Sequence, residues 1–323
     1  MKRNIVVLAA ALLACGQSAN GPLTAEEARA ALPSSAQAQI ATPGGATAVA
    51  GPSTLVATAG VTADYAQDTI AFASAVNGSV IWTLGLLEAV VSWPPTACAG
   101  DTCTWGPGSG TFDVNVYQLQ VTKVADADYT WKLEAYPKSD PTMTFITFIS
   151  GEAFTTPVKN VGHGTLLVDM NAAQKLAHLS GQPAQVGTID VQYDNRSGAS
   201  LSAQFLGTQD SVNPSQTVNA GYQFLATAGG GDLQLAVENM TTQAVLLLHS
   251  RWTSSGAGRG DASFSQGTNS VARSECWDSD ASVPPFELLY QVTTPADPGD
   301  FGDVSSCGSF TTAVPPTITV PQG

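Results

Sequence analysis

The chain has 323 residues, with 12 Lys and Arg against 26 Asp and Glu, a formal net charge of −14. That field repels polyanions and no basic cluster offsets it, which argues against nucleic acid as a partner and against protein contacts with an anionic bilayer. Charged residues are only 12% of the chain and apolar ones 43%, enough to bury one large core in place of two small ones.

The first predicted element is a leader, residues 1–14. Lys2 and Arg3 precede an apolar run from Ile5 to Ala14, and Cys15 follows. A charged start, an apolar stretch too short to span a bilayer and small residues at its end mark an export signal. Leu12-Leu13-Ala14-Cys15 resembles the lipobox of bacterial lipoproteins, Leu13 being bulkier than that family prefers. The resemblance implies removal of residues 1–14, acylation of the Cys15 sulfur with a palmitate-type chain, and attachment to the membrane through that lipid. Gly16, where inner-membrane lipoproteins carry aspartate, implies the outer membrane as destination. Losing Lys2 and Arg3 takes the formal charge from −14 to −16. The alternative is a secreted protein cut nearby.

Residues 15–60 are poor in large apolar side chains and read as a flexible linker. Thr24–Leu32 within it has a helical pattern, Thr24 and Glu27 forming a capping box, and is a candidate to dock on the domain. The domain, residues 61–293, opens with 69–87, which carry no charge; Phe72, Val76, Val80, Leu84, Leu87 and Val91 form a helical stripe. This stretch is long enough to cross a bilayer. Asn77, Gly78, Ser79 and Gly85 dilute it and neither flank carries Lys or Arg, so a helix buried in the core from about Asp64 to Trp93 is expected, stopped by Pro94 and Pro95.

Beyond Cys103 the period changes to two. Tyr129–Ala135, Ile189–Asp194, Asp232–Glu238 and Phe286–Val292 alternate apolar and polar, the pattern of strands with one buried and one wet face. The parity change around Tyr117 predicts a β-bulge. Met143–Ile149 and Val245–Leu248, apolar on both parities, are expected to be covered on both faces, and Asn171–Leu179 to be a short helix. The fold class is therefore mainly β: an antiparallel meander of ten to twelve strands curled into a barrel or half-barrel around the apolar helix. Residues 294–323, rich in proline, read as an irregular tail pinned by Cys307.

Cys98, Cys103, Cys276 and Cys307 are an even set for an oxidising compartment, and three connectivities are open. The loop Ala99–Thr102 favours Cys98 with Cys103 and so Cys276 with Cys307, contributing roughly 2 and roughly 4 kcal/mol on the chain-entropy model. Asp278 and Asp280 beside Cys276, and Asp297, Asp300 and Asp303 beside Cys307, are weak calcium candidates that match no known loop spacing; no other metal site and no cofactor is expected. His163, six residues from Asp169 along a strand, is too far from it for a direct bond. His178 reads as exposed and His249 as a core or rim residue. Arg259-Gly260-Asp261 matches the tripeptide read by integrins, within a glycine-rich loop. No hydrolase elbow, zinc-protease motif or nucleotide loop occurs, so nothing supports an enzyme.

Pro94-Pro95-Thr96, Trp105-Gly106-Pro107, Arg251-Trp252, Gly256–Arg259 and Glu275-Cys276-Trp277 occur in an order that resembles uncharacterised envelope lipoproteins of predatory and soil bacteria, over most of residues 61–293. The resemblance implies no activity. The expectation is a non-enzymatic scaffold or interaction domain with an envelope protein partner; the alternative is a carrier or sensor of a hydrophobic ligand such as a lipid. A solid interior would mark the scaffold and an apolar cavity of a few hundred Å³ the carrier.

Overall fold

The computed structural model describes residues 21–45, 60–110, 113–177, 185–210 and 213–323. Its centre is one sheet. The strands are β1 (Ala97–Ala99), β2 (Thr102–Gly108), β3 (Asn115–Ala125), β4 (Asp128–Pro137) and β5 (Ile146–Thr155). They continue with β6 (Gly162–Asp169), β7 (Thr188–Asp194), β8 (Ser200–Gln209), β9 (Thr217–Thr227) and β10 (Gly230–Asn239). The last five are β11 (Val245–Thr253), β12 (Gly258–Gln266), β13 (Asn269–Trp277), β14 (Leu288–Thr294) and β15 (Phe301–Gly302). Each pairs antiparallel with its neighbours in sequence, giving one 15-stranded sheet in the order β1 to β15. β1 and β15 do not pair, so the meander is an open sheet and not a closed barrel.

The alternation sets the inner face. Trp131, Leu133, Val191, Leu235 and Leu288 are buried, because one residue of slip would expose every apolar side chain of a strand at once. Irregularities fall where the pattern is mixed. Trp105 pairs with Leu119 but Gly108 with Tyr117, so the bulge expected near Tyr117 lies on the opposing strand, at Gly106 and Pro107. A second bulge, where Leu133 pairs with Ile149 and Glu134 with Thr147, lets both Phe148 and Ile149 turn inward; this accounts for the double parity of that strand. Val245–Leu247 are only half-buried, so β11 is not covered on both faces there. In β14 a register shift opposite Cys276 and Trp277 buries Gln291 where the alternation called for an outward residue. Glu134 is also buried, held by Lys132 Nζ at 2.9 Å and Thr147 Oγ1 at 2.8 Å.

The long helix α3 (Asp64–Val91, 28 residues) ends before the two prolines, as its sequence requires. It touches β11, β12 and β13 with its first turns and β2 and β3 further on. Ile70, Val76, Val80, Leu84, Leu87 and Val90 face the sheet. The opposite side is exposed but uncharged as far as Glu88, with Ala75, Gly78, Ser79, Ile81, Trp82 and Gly85, and only 39% of the helix's most apolar stretch is buried. The expected helix is therefore buried in the core along one face only, the face that carries the apolar stripe.

Residues 21–45 are not a linker. α1 (Ala25–Ala31) and α2 (Ser35–Ala38) dock on the domain, burying Leu23, Ala28, Ala31, Ala38 and Ile40. Small alanines allow close backbone approach, and specific bonds replace large apolar area. Glu27 accepts from Lys123 Nζ at 3.0 Å and from the Tyr129 hydroxyl at 2.8 Å, Arg29 donates to the carbonyls of Val91 and Trp93, and the Asn77 side chain bonds both backbone groups of Ile40. Half of the expected capping box forms: Thr24 accepts the Glu27 N–H at 3.2 Å, while the Glu27 carboxylate is turned to Lys123 and Tyr129 and not back to the Thr24 N–H.

Both disulfides join Cys98 to Cys103 and Cys276 to Cys307. The tail is pinned at more than Cys307. It crosses the outer face as a strap: Arg259 donates to the carbonyls of Phe310 and Thr311, Arg251 to that of Thr312, Asp261 accepts the Val314 N–H at 2.9 Å, and Gln234 accepts from Thr317 and Ile318.

Candidate functional site

A cleft of about 900 Å³ lies between the exposed side of α3 and the inner face of the sheet. Ala75, Gly78, Ser79, Trp82, Thr83 and Leu86 of the helix form one wall. Tyr117 of β3, Phe148 of β5, Val168 of β6 and Ile189 of β7 form the other, and the short helix α4 (Met170–Ala173) with Leu176 closes the end. The sequence builds this locally. Asp169 caps α4 by accepting the Ala172 N–H at 2.8 Å, and the Asn115 side chain exchanges two bonds of 2.9 Å with the backbone of Ala177, tying the segment after α4 to β3. Trp82 stands at the cleft 64% exposed and Ile81 beside it 47% exposed. Gly78 is exposed, and a Cβ there would meet nothing within 4 Å.

A second constellation fixes α3 to the sheet. Ala63, the residue before the helix, offers no side-chain cap; Glu275 of β13 supplies one instead, accepting the Tyr65 N–H at 3.0 Å. Glu275 is fully buried and pairs with Arg273, which also reaches Asp64 at 3.1 Å and Gln291. Burial pushes the Glu275 carboxyl up to about 7 against the pull of Arg273, and burial with the neighbouring Asp64 pushes Asp68 up to about 6. The Tyr65 hydroxyl is raised by the same burial and by Glu275. Thr69 and Ser250 share a hydrogen bond of 2.6 Å one turn further along. These groups are spent on one another and on the helix start, which makes them an anchor.

The remaining candidates are dispersed. Among the described residues no three His, Cys, Asp or Glu side chains come together as a metal site. Asp278 accepts the Ser279 N–H, Asp297 that of Gly299 and Asp303 that of Ser305, each closing a local turn, while Asp300 accepts the N–H of Thr293 in β14 and the Asp280 side chain lies against Gly44. His163 stacks on Phe154 with ring centroids 4.5 Å apart and faces Asp194 in register, not Asp169. His249 is buried between Asp232, at 2.9 Å, and the carbonyl of Val314. Arg259 and Asp261 are not in a loop: both lie in β12, buried, 2.8 Å apart and beneath the strap, where no partner can read them. Cys15 and His178 lie outside the described residues.

The cleft was not foreseen residue by residue. Its signal was the absence of charge on both sides of residues 69–87, together with the double apolar parity at Phe148 and Ile149. No protein-family model, no curated protein and no solved structure matches this chain.

Proposed function

We propose that the protein is a non-enzymatic lipoprotein of the bacterial outer membrane, anchored through Cys15, whose half-barrel sheet carries or senses a hydrophobic ligand in the α3 cleft. The leader and its resemblance to the lipobox support the anchor. Two disulfides among the domain's four cysteines fit an oxidising, extracytoplasmic compartment. The cleft carries the functional reading: about 900 Å³ walled by Trp82, Leu86, Phe148, Val168 and Leu176 is the size of a small-molecule site and is apolar as such sites are. A scaffold alone calls for a solid interior. That second reading keeps one observation in its favour, the tight packing around Leu84, Leu87, Leu119 and Leu133.

The test uses the lipid-bearing protein purified from native membranes, with and without Gly78→Leu, a change that projects a side chain into the cleft at an open position. Mass spectrometry of co-purifying lipids should show a species enriched with the natural protein and lost in the variant. Identical lipid profiles for the two would refute the carrier and leave the scaffold.

A further inference from the structure

Resting on the carrier reading, the geometry points to a hydrocarbon chain under an uncharged head group as the ligand of the α3 cleft. Most of the polar side chains in its walls are already committed, the Tyr117 hydroxyl and the Gln185 amide being the exceptions. Ser79 Oγ donates to the Ala75 carbonyl at 3.1 Å and Thr83 Oγ1 to that of Ser79 at 2.9 Å. Asn115 is used on both sides by Ala177, and Gln174 Nε2 donates to the Gln185 carbonyl at 2.6 Å. Asp113 accepts the Gly110 N–H. What these groups leave facing the space are the rings and methylenes of Trp82, Leu86, Phe148, Val168, Met170 and Leu176. A ligand dipole drawn among them would give up water without a new partner, whereas a methylene gains by every contact.

Charge narrows the ligand further. Among the described residues that line the cleft Asp113 is the one ionisable carboxyl and there is no Lys or Arg; Lys175, exposed between the lining residues Gln174 and Leu176, is not among them. Lys138, which reaches the adjoining loop, gives its ammonium to the Gly110 carbonyl at 2.8 Å. A phosphate or carboxylate head group would therefore find no cation in the walls to offset the water it gives up at the cleft mouth, and Asp113, being exposed, repels it only weakly. A cationic head group fares little better, because Asp113 is exposed and already hydrogen-bonded, and an ion pair at the surface is weak. Alcohols, esters and other neutral amphiphiles are left, with the chain in the cleft and the head at its mouth, partly withdrawn from water.

The experiment is displacement of the fluorescent probe N-phenyl-1-naphthylamine from the whole mature protein at pH 8, by octanol, decanol and dodecanol and then by dodecanoate and dodecylamine. Affinity should rise about fourfold per methylene along the alcohols. Dodecanoate should bind at least about fivefold more weakly than dodecanol, and added salt should not weaken the alcohols. Tighter binding of dodecanoate or of dodecylamine than of dodecanol, or no dependence on chain length, would overturn the neutral-chain inference; the carrier reading would still stand if Gly78→Leu abolished probe binding. A natural protein that binds no probe and none of the amphiphiles would overturn both.

Discussion

Replacing Glu275 by Gln tests whether a buried carboxylate, and not apolar contact alone, governs how α3 is held. Glu275 is fully buried, caps the Tyr65 N–H and faces Arg273. Its carboxyl is raised from 4.5 to about 7, chiefly by burial. The folded state therefore binds a proton more tightly than the unfolded chain. The stability this supplies is full below pH 4.5 and is lost as pH rises through about 7. The loss is about 3 kcal/mol, from roughly 1.4 kcal/mol per pKa unit. Denaturant melts between pH 5 and pH 8, with the disulfides intact, should show the natural protein weakening across that window. Glu275→Gln should flatten the curve, since the amide oxygen still caps Tyr65 while Arg273 keeps Asp64 and Gln291. Glu275→Ala removes the cap as well and should cost about 1–3 kcal/mol at every pH. A natural protein that gains stability from pH 5 to pH 8, or a Gln variant that keeps the natural slope, would refute this account of the anchor. Asp68, raised to about 6 by burial, adds a smaller slope of the same sign, which Asp68→Asn should remove.

Leu133→Ala, on the inner face, should cost about 2–5 kcal/mol by denaturant melt, whereas Gln192→Ala on the exposed face should stay within about 0.5 kcal/mol; equal costs would sink the one-sided sheet. Metabolic labelling with a palmitate analogue should mark the natural protein and not Cys15→Ala, and label surviving in the variant would remove the proposed anchor. If Cys15 does carry lipid, only eight steps of chain separate it from the docked Leu23, at most about 28 Å, so neutron reflectometry on a supported bilayer should place the domain against the headgroups. A water gap wider than that would exclude acylation at Cys15.

The sheet was legible because antiparallel strands with one wet face write their register into the sequence. Tyr129–Ala135 and Asp232–Glu238 needed little more than period two: Tyr129, Trp131, Leu133, Ala135, Leu233 and Leu235 are buried as the alternation requires, while Glu134 and Ala236 are buried against it and Val237 is only half-buried. One failure lies where a bulge shifts parity. Gln291 turns inward because a residue is left over opposite Cys276 and Trp277, and no single strand's sequence reveals an extra residue whose meaning depends on its partner's register. Of the docked segment 21–45 only the first helix, Thr24–Leu32, was legible as a candidate for docking, and the rest was missed for a different reason. Its alanines bury little area each, and what orders it is pairing at long range, Glu27 to Lys123 and Ile40 to Asn77, between residues whose proximity exists only in the fold.

The same limit explains why the cleft was invisible while its walls were not. An uncharged helix reads as one to be buried on all sides, because nothing in Ala75, Gly78, Ser79, Ile81, Trp82 and Gly85 marks a wet face. One side of α3 is nevertheless exposed, since the sheet stays open and the helix covers only part of its inner face. An apolar side left in contact with water is a standing cost, and Trp82 at 64% exposure makes it larger. Replacing Ile81 and Trp82 by Gln would relieve that cost if the surface had no occupant. If a hydrocarbon chain covers it, the same change removes the contacts that hold the chain. Stability of the empty protein and affinity for the probe should then move in opposite directions, and their moving together would mean that the exposed side of α3 is idle surface.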